Sequence, residues 1–140
     1  MCPGVRQAIV EAQWKDPRIR PLCDRLLTRA LPPPTFGREK LTLRISDDYC
    51  LECLVPQPIG DSTWVVVVPD GEFRPEGSWK SFIYDQCHHG HFGAHHPADR
   101  TTMLIRRIAY WDALRKDIQE RVDRCWVCLL YTSPSPRDRG

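Results

Sequence analysis

Long apolar runs, a strong net charge and an export signal are all absent from this sequence of 140 residues. No apolar stretch approaches the roughly 18 residues that cross a bilayer, so we expect no membrane partner. The net charge of +2 is too small to predict nucleic-acid binding by the chain as a whole. Residues 1–4 lack the basic and apolar regions of a signal peptide, which predicts an intracellular protein, either nuclear or cytoplasmic.

Histidine and cysteine are clustered instead of dispersed. All five histidines fall within residues 88–96, and a Cys-x-x-Cys pair follows at Cys125 and Cys128. The seven cysteines are an odd number, and without an export signal they favour metal binding or free thiols over a disulfide framework. Imidazole and thiolate are standard ligands of tetrahedral zinc, and two of each complete its coordination shell.

These spacings predict one structural zinc ion. Six residues separate the two chosen histidines, and 29 separate the second from the first cysteine of the pair. Such a full ligand set leaves no open position for water, which predicts no catalysis at the metal. The expected ligands are His88, His95, Cys125 and Cys128. Three neighbouring histidines have no assigned role at this point: His89, His91 and His96 could be exposed loop residues, supporting groups or the true ligands.

Other cysteines offer weaker alternatives. Cys50 and Cys53 also have the Cys-x-x-Cys spacing, but on a strand residues three apart point to opposite faces, which is poor for chelation. We interpret both as half-buried strand residues. Cys87 beside His88 suggests a nucleophile and base, yet nothing in the sequence supplies an oxyanion site or an orienting acid.

The first half of the chain has two helical stretches followed by strands. Apolar residues recur at helical spacing over residues 5–14, and an Asp-Pro pair is typical of the start of a second helix over residues 16–29. Residues 40–55 alternate between apolar and polar side chains, and residues 64–68 include an unbroken apolar run. We therefore expect N-terminal helices and a small antiparallel sheet.

The second half of the chain is helical in its pattern. Apolar residues recur at helical spacing over residues 78–87, 99–109 and 112–124. A metal ion bound at both ends of this stretch would supply folding free energy to it. The expected fold class is α+β: a small antiparallel sheet with N-terminal helices, followed by a zinc-stabilised three-helix bundle.

The second half also resembles a known family, the zinc-binding (HHCC) domain of integrases from gypsy-type LTR retrotransposons. In that family two histidines are followed by a threonine, a Tyr-Trp pair and a Cys-x-x-Cys pair. Residues 11–17 and 66–69 resemble the segment that precedes this domain in such polyproteins. The elements of the second half that carry the resemblance are Cys87-His88-His89-Gly90, Phe92-Gly93-Ala94-His95, Asp99-Arg100-Thr101, Ile105-Arg106-Arg107, Tyr110-Trp111, Leu114-Arg115-Lys116-Asp117 and Cys125-Trp126-Val127-Cys128.

The resemblance also favours one histidine register. Taking His95 as the second histidine brings Thr101 and Trp111 to the family positions together. Taking His91 instead would place Pro97 where the family has its threonine. The resemblance therefore supports His95 as a ligand.

The resemblance implies an architecture and a role. Residues 75–128 would form a zinc-stabilised helical bundle with a helix-turn-helix, and residues 1–74 an N-terminal extension of helices plus a small sheet. The bundle would bind element-end DNA and support integrase assembly, through self-association or contact with other integrase domains. The catalytic core with its acidic triad normally follows, and no length is left for it after Cys128. We therefore expect a fragment of an integrase that is not itself an enzyme.

A mild basic excess in the second half is compatible with a DNA contact. Residues 97–128 hold seven Arg and Lys against five acidic residues, which is equally typical of a solvated helix face. The candidate phosphate contacts are Arg100, Arg107 and Arg115. The alternative function is a zinc-stabilised protein-interaction domain with no nucleic-acid role, associating through Trp79, Phe82 and Trp111.

The last residues resemble foreign sequence. Residues 128–138 are similar to the translation of a transposase adaptor used in preparing sequencing libraries. We expect residues 129–140 to be a disordered, artefactual tail, and Cys128 to be either native or adaptor-encoded.

Overall fold

Two helices lead into the sheet. The computed structural model of the protein describes residues 3–74, 77–89 and 97–125. Helix α1 (Pro3–Lys15) and helix α2 (Arg20–Leu27) confirm the two predicted N-terminal helices. A turn precedes α2, because the Asp16 carboxylate accepts a hydrogen bond from the backbone N–H of Arg18 at 2.7 Å. Pro21 lies in the first turn of α2, where its missing N–H costs nothing.

Four antiparallel strands follow the helices. Leu41 and Leu43 face the core while Thr42 and Arg44 are exposed, so the predicted alternation is confirmed. Cys53 lies opposite Leu43 on one neighbouring strand. The strands, in the order in which they pair, are β1 (Thr35–Phe36), β2 (Leu41–Ile45), β3 (Leu51–Val55) and β4 (Thr63–Val67).

The rest of the described chain is mainly helical. None of the described helices is long and apolar enough to cross a membrane. Helix α4 (Ala98–Ile105) packs against both α3 (Trp79–His89) and α5 (Leu114–Asp123). A zinc-stabilised bundle with a helix-turn-helix stays a prediction. The elements are a small hairpin of β5 (Glu72–Arg74) and β6 (Gly77–Ser78), then α3 (Trp79–His89), α4 (Ala98–Ile105), β7 (Ala109–Tyr110) and α5 (Leu114–Asp123).

The fifth strand of the main sheet, β7, was not predicted. Residues 99–109 were expected to be one helix, but α4 ends at Ile105 and β7 pairs with the edge of β4. This pairing is parallel, so the expectation of a purely antiparallel sheet is wrong. The backbone N–H groups of Val66 and Val68 donate to the carbonyl oxygens of Ile108 and Tyr110, at 3.2 and 3.0 Å. These bonds occupy backbone groups that an edge strand would otherwise leave unpaired.

Both halves of the chain contribute to one apolar core. Ile9 and Leu51 from the first half, and Trp111 and Ile118 from the second, are buried in the same cluster. The result is a mixed α/β protein with small sheets and, in its described part, five helices. The boundary between residues 1–74 and 75–128 stays a prediction, while β7 and this core join the two sides of it.

Candidate metal centre

His88 lies near the end of α3 with its side chain fully buried. Its Nδ1 atom is 3.4 Å from Oγ1 of Thr101, which is itself fully buried on α4. Tyr84, one helical turn earlier, stacks on the imidazole with ring centroids 4.9 Å apart and an angle of 14° between the planes. The imidazole is therefore held by a hydroxyl at one nitrogen and by an aromatic ring on one face.

This arrangement suits a metal ligand. A zinc-binding histidine is neutral, and its non-ligating nitrogen carries the proton and donates it to an oriented acceptor. With the proton on Nδ1 of His88, the hydroxyl of Thr101 would accept this hydrogen bond, and Nε2 would be the nitrogen that binds a metal ion. The contact between His88 and Thr101 is long for a hydrogen bond, so we infer that the stacked ring of Tyr84 also helps to orient the imidazole.

Cys125 is the second predicted ligand within the described chain. It follows α5 directly, and its backbone N–H donates to the carbonyl oxygen of Val122 at 3.1 Å. Its thiol is neither fully buried nor fully exposed. The structure thus places an imidazole and a thiol at the ends of α3 and α5, which both pack on α4. These are donors of the classes that zinc prefers.

The other two predicted ligands, His95 and Cys128, lie outside the described residues, as do His91, His96 and the tail 129–140. Within residues 3–74, 77–89 and 97–125 no group of three or more potential ligands is placed to hold a metal ion. The four-ligand site therefore stays a prediction, of which the described chain contains one histidine and one cysteine.

The comparison with protein families bears directly on this region. Residues 77–134 match the Integrase zinc binding domain family. That family describes a zinc-binding module without catalysis of its own, and zinc is the metal that it implies here. No curated protein and no solved structure matches the chain.

Burial raises the pKa of three thiols that are not among the predicted ligands, those of Cys50, Cys53 and Cys87. Cys50 and Cys53 are fully buried, more than the half-burial expected of them. Burial raises the pKa of both thiols to about 12, so they stay protonated and poor ligands at neutral pH. Burial also raises the pKa of Cys87 to about 11, which disfavours the nucleophile considered beside His88.

The aromatic surface considered for protein association is not present. Trp79 and Trp111 are each only 2% exposed, and Phe82 is partly buried against the core. Trp79 stacks on Phe73 with ring centroids 4.1 Å apart. These side chains stabilise the fold, so the expectation that they form an association surface is wrong.

The candidate DNA-contacting arginines are exposed, and all three lie within residues 77–134, the region that matches the zinc-binding family. Arg100 and Arg107 are exposed, and Arg115 is exposed but forms an ion pair with Asp99 at 2.7 Å. Arg106 between them has a different role, because its guanidinium donates to the carbonyl oxygen of Pro56 at 3.0 Å. Exposure leaves Arg100 and Arg107 available to a partner, and the DNA contact stays a prediction.

Sequence reasoning singled out His88, Thr101 and Cys125 but missed the aromatic ring that stacks on the imidazole. Tyr84 was not singled out, although its position four residues before His88 puts both side chains on one helix face. That spacing was an available signal. The approach of Arg121 to Tyr84 joins two different helices, and no spacing in the sequence could have revealed it.

Proposed function

We propose that this chain is a zinc-binding N-terminal fragment of an integrase from a gypsy-type LTR retrotransposon. One zinc ion would be held by His88, His95, Cys125 and Cys128. The observation that carries this proposal is the buried imidazole of His88, braced by Thr101 and Tyr84, within a region that matches an integrase zinc-binding family. When bound, the metal supplies a cross-link between helix ends and no reaction chemistry.

Zinc binding is tested first, with the full chain. Elemental analysis after exhaustive dialysis should find about one zinc per chain, the stoichiometry of a single closed tetrahedral site. A spectrum of the Co²⁺-substituted protein reports tetrahedral geometry and thiolate ligation. Replacing Cys125 or Cys128 by serine should weaken the thiolate absorption, whereas Cys23→Ser, at a buried thiol on α2, should leave it unchanged. A folded wild-type chain without metal would overturn the proposal.

The proposed role is to bind element-end DNA and to support integrase assembly, in the nucleus or the cytoplasm. Arg100, Arg107 and Arg115 would neutralise phosphates, because their guanidinium groups are exposed on the zinc-binding region. Arg115 must leave Asp99 to do so, so its contribution is expected to be the smallest of the three. Residues 77–128 would have no strand-transfer activity of their own, since in such integrases that chemistry belongs to a separate core domain.

A salt titration tests the DNA contact. Binding of a short blunt-ended duplex should weaken steeply with salt. Arg100→Gln and Arg107→Gln should each reduce the slope by about one, and Arg115→Gln should reduce it by less. Arg29→Gln is the matched control, because Arg29 is exposed near the end of α2, in the other half of the chain. Zinc-loaded protein that binds no duplex would favour the alternative function, a protein-interaction domain, and centrifugation with and without zinc would then test self-association.

The origin of residues 129–140 belongs to the same proposal. Their resemblance to an adaptor translation supports a foreign tail joined to a retroelement reading frame. The sequence of the source locus tests this: codons past Val127 that leave the present sequence and lead into an acidic-triad core are expected. A locus that encodes the present residues 129–140 would overturn the assignment of the tail.

A further inference from the structure

A set of contacts outside the ligand motif leads from α5 to His88. The guanidinium carbon of Arg121 lies 5.7 Å from the ring centroid of Tyr84, within the range of a cation–π contact. Tyr84 is 7% exposed and stacks on the imidazole of His88. The tyrosine ring therefore contacts both a cation from α5 and the predicted metal ligand on α3.

Arg121 itself is fixed by directed hydrogen bonds. Its Nε donates to Oδ1 of Asp117 at 3.0 Å, and its Nη1 donates to Oγ of Ser81 at 2.9 Å. The other oxygen of Asp117 accepts from Nε1 of the buried Trp111 at 2.8 Å. A planar guanidinium held at two atoms has little freedom to turn, so its position over Tyr84 is defined.

We propose that Arg121 and Tyr84 are positioning residues for the metal ligand His88. Their contacts fix the plane of the imidazole, so a metal ion would bind a ring that is already oriented, with little further loss of ring-rotation entropy. The inference rests on the proposed zinc site and adds to it two residues that are not ligands. Groups that orient a metal ligand typically change metal affinity by about 10- to 100-fold when removed.

Three variants and one control distinguish a role in positioning the metal ligand from a role in packing the helices alone. Arg121→Met keeps the aliphatic stem and removes the guanidinium, and it should weaken zinc affinity by about tenfold or more. Tyr84→Phe keeps the ring and should retain more affinity than Tyr84→Leu. Lys116→Met removes a cation from an exposed position of the same helix and should match wild type.

The experiment is a competition titration of Zn²⁺ against a chromophoric chelator with the full chain, together with the Co²⁺ spectrum and helicity at saturating metal. Weakened affinity with full helicity and a shifted Co²⁺ spectrum in Arg121→Met supports the proposal. Wild-type affinity in Arg121→Met, or equal affinity in the two Tyr84 variants, overturns it. Lost helicity at saturating metal in both Arg121→Met and Tyr84→Leu also overturns it, because the contacts would then be structural. Wild-type protein that binds no Zn²⁺ refutes the metal site itself, a distinct result.

Discussion

Gln13 should contribute more to the stability of the first half than any other polar side chain of α1. It is fully buried, and its amide bridges two neighbouring strands of the sheet. Nε2 donates to the carbonyl oxygens of Leu51 and Val67, at 3.0 and 2.7 Å, and Oε1 accepts from the backbone N–H of Leu51 at 2.8 Å. The side chain thus behaves as a peptide group inserted between β3 and β4.

The loss of stability on removing this amide depends on the backbone groups that lose their hydrogen-bond partner. Gln13→Met keeps the length of the side chain but leaves one backbone N–H and two carbonyl oxygens without this partner. An unsatisfied buried donor costs about 1–3 kcal/mol, and a carbonyl oxygen, with its two lone pairs, tolerates the loss better. We therefore expect a loss of about 3 kcal/mol, a large part of the 5–15 kcal/mol that is typical of a domain.

Urea denaturation followed by circular dichroism measures this loss. With a slope of about 1–3 kcal/mol per molar, the midpoint should fall by about 1–3 M. Gln7→Met is the matched control, since Gln7 is exposed on the same helix and should stay within about 0.5 kcal/mol of wild type. A loss below about 1 kcal/mol for Gln13→Met, or an equal loss in the control, would refute the reasoning.

Two further predictions concern the metal and the ion pairs. Chelation of the full chain should remove helical circular dichroism from residues 79–123 while part of the β2–β4 sheet persists, and unchanged helicity would contradict this. Asp70→Asn should destabilise the protein at neutral pH, because the hydrogen bond from Lys80 lowers the pKa of the Asp70 carboxyl. A carboxyl whose pKa is lower in the folded state than in the unfolded state stabilises the fold at pH values above its unfolded-state pKa. That stabilisation is lost in acid, so the variant should approach the stability of the wild type as the pH falls below about 4. A difference in unfolding midpoint that does not shrink in acid would count against that pair.

The sequence predicted those elements whose state depends on their own residues. The alternation in β2 gives one buried and one exposed face, and the apolar spacing of α1 places Ile9 in the core. The strand β7 could not be predicted in this way. Ile105 and Ile108 continue a helical spacing, and the chain leaves the helix only because the edge of β4 offers it backbone partners. A local pattern carries no information about that edge.

The candidate site shows the same difference between what a local pattern predicts and what depends on the tertiary fold. Ligand type and spacing led to the choice of His88 and Cys125, because zinc chemistry restricts both, and that choice stays a prediction. The supporting groups come from three helices, with Thr101 on α4 and Arg121 on α5. Their roles depend on how those helices cross, which only the folded structure determines. Cys50, directly before β3, and Cys53 within it show the converse, since both are fully buried and, among the described residues, they join no group of three potential ligands.

The contacts of β7 and of Arg106, which directly follows α4, determine how far the effect of zinc can extend. The backbone of Arg106 accepts a hydrogen bond from Gln57 at 2.8 Å, and the hydroxyl of Tyr110 donates to Glu39 at 2.7 Å. Loss of the metal would therefore loosen one edge of the sheet as well as the helices. The pairing of β2, β3 and β4 needs none of these contacts, and Gln13, in the same half of the chain, holds β3 and β4. Partial retention of the sheet after chelation follows from this division of contacts.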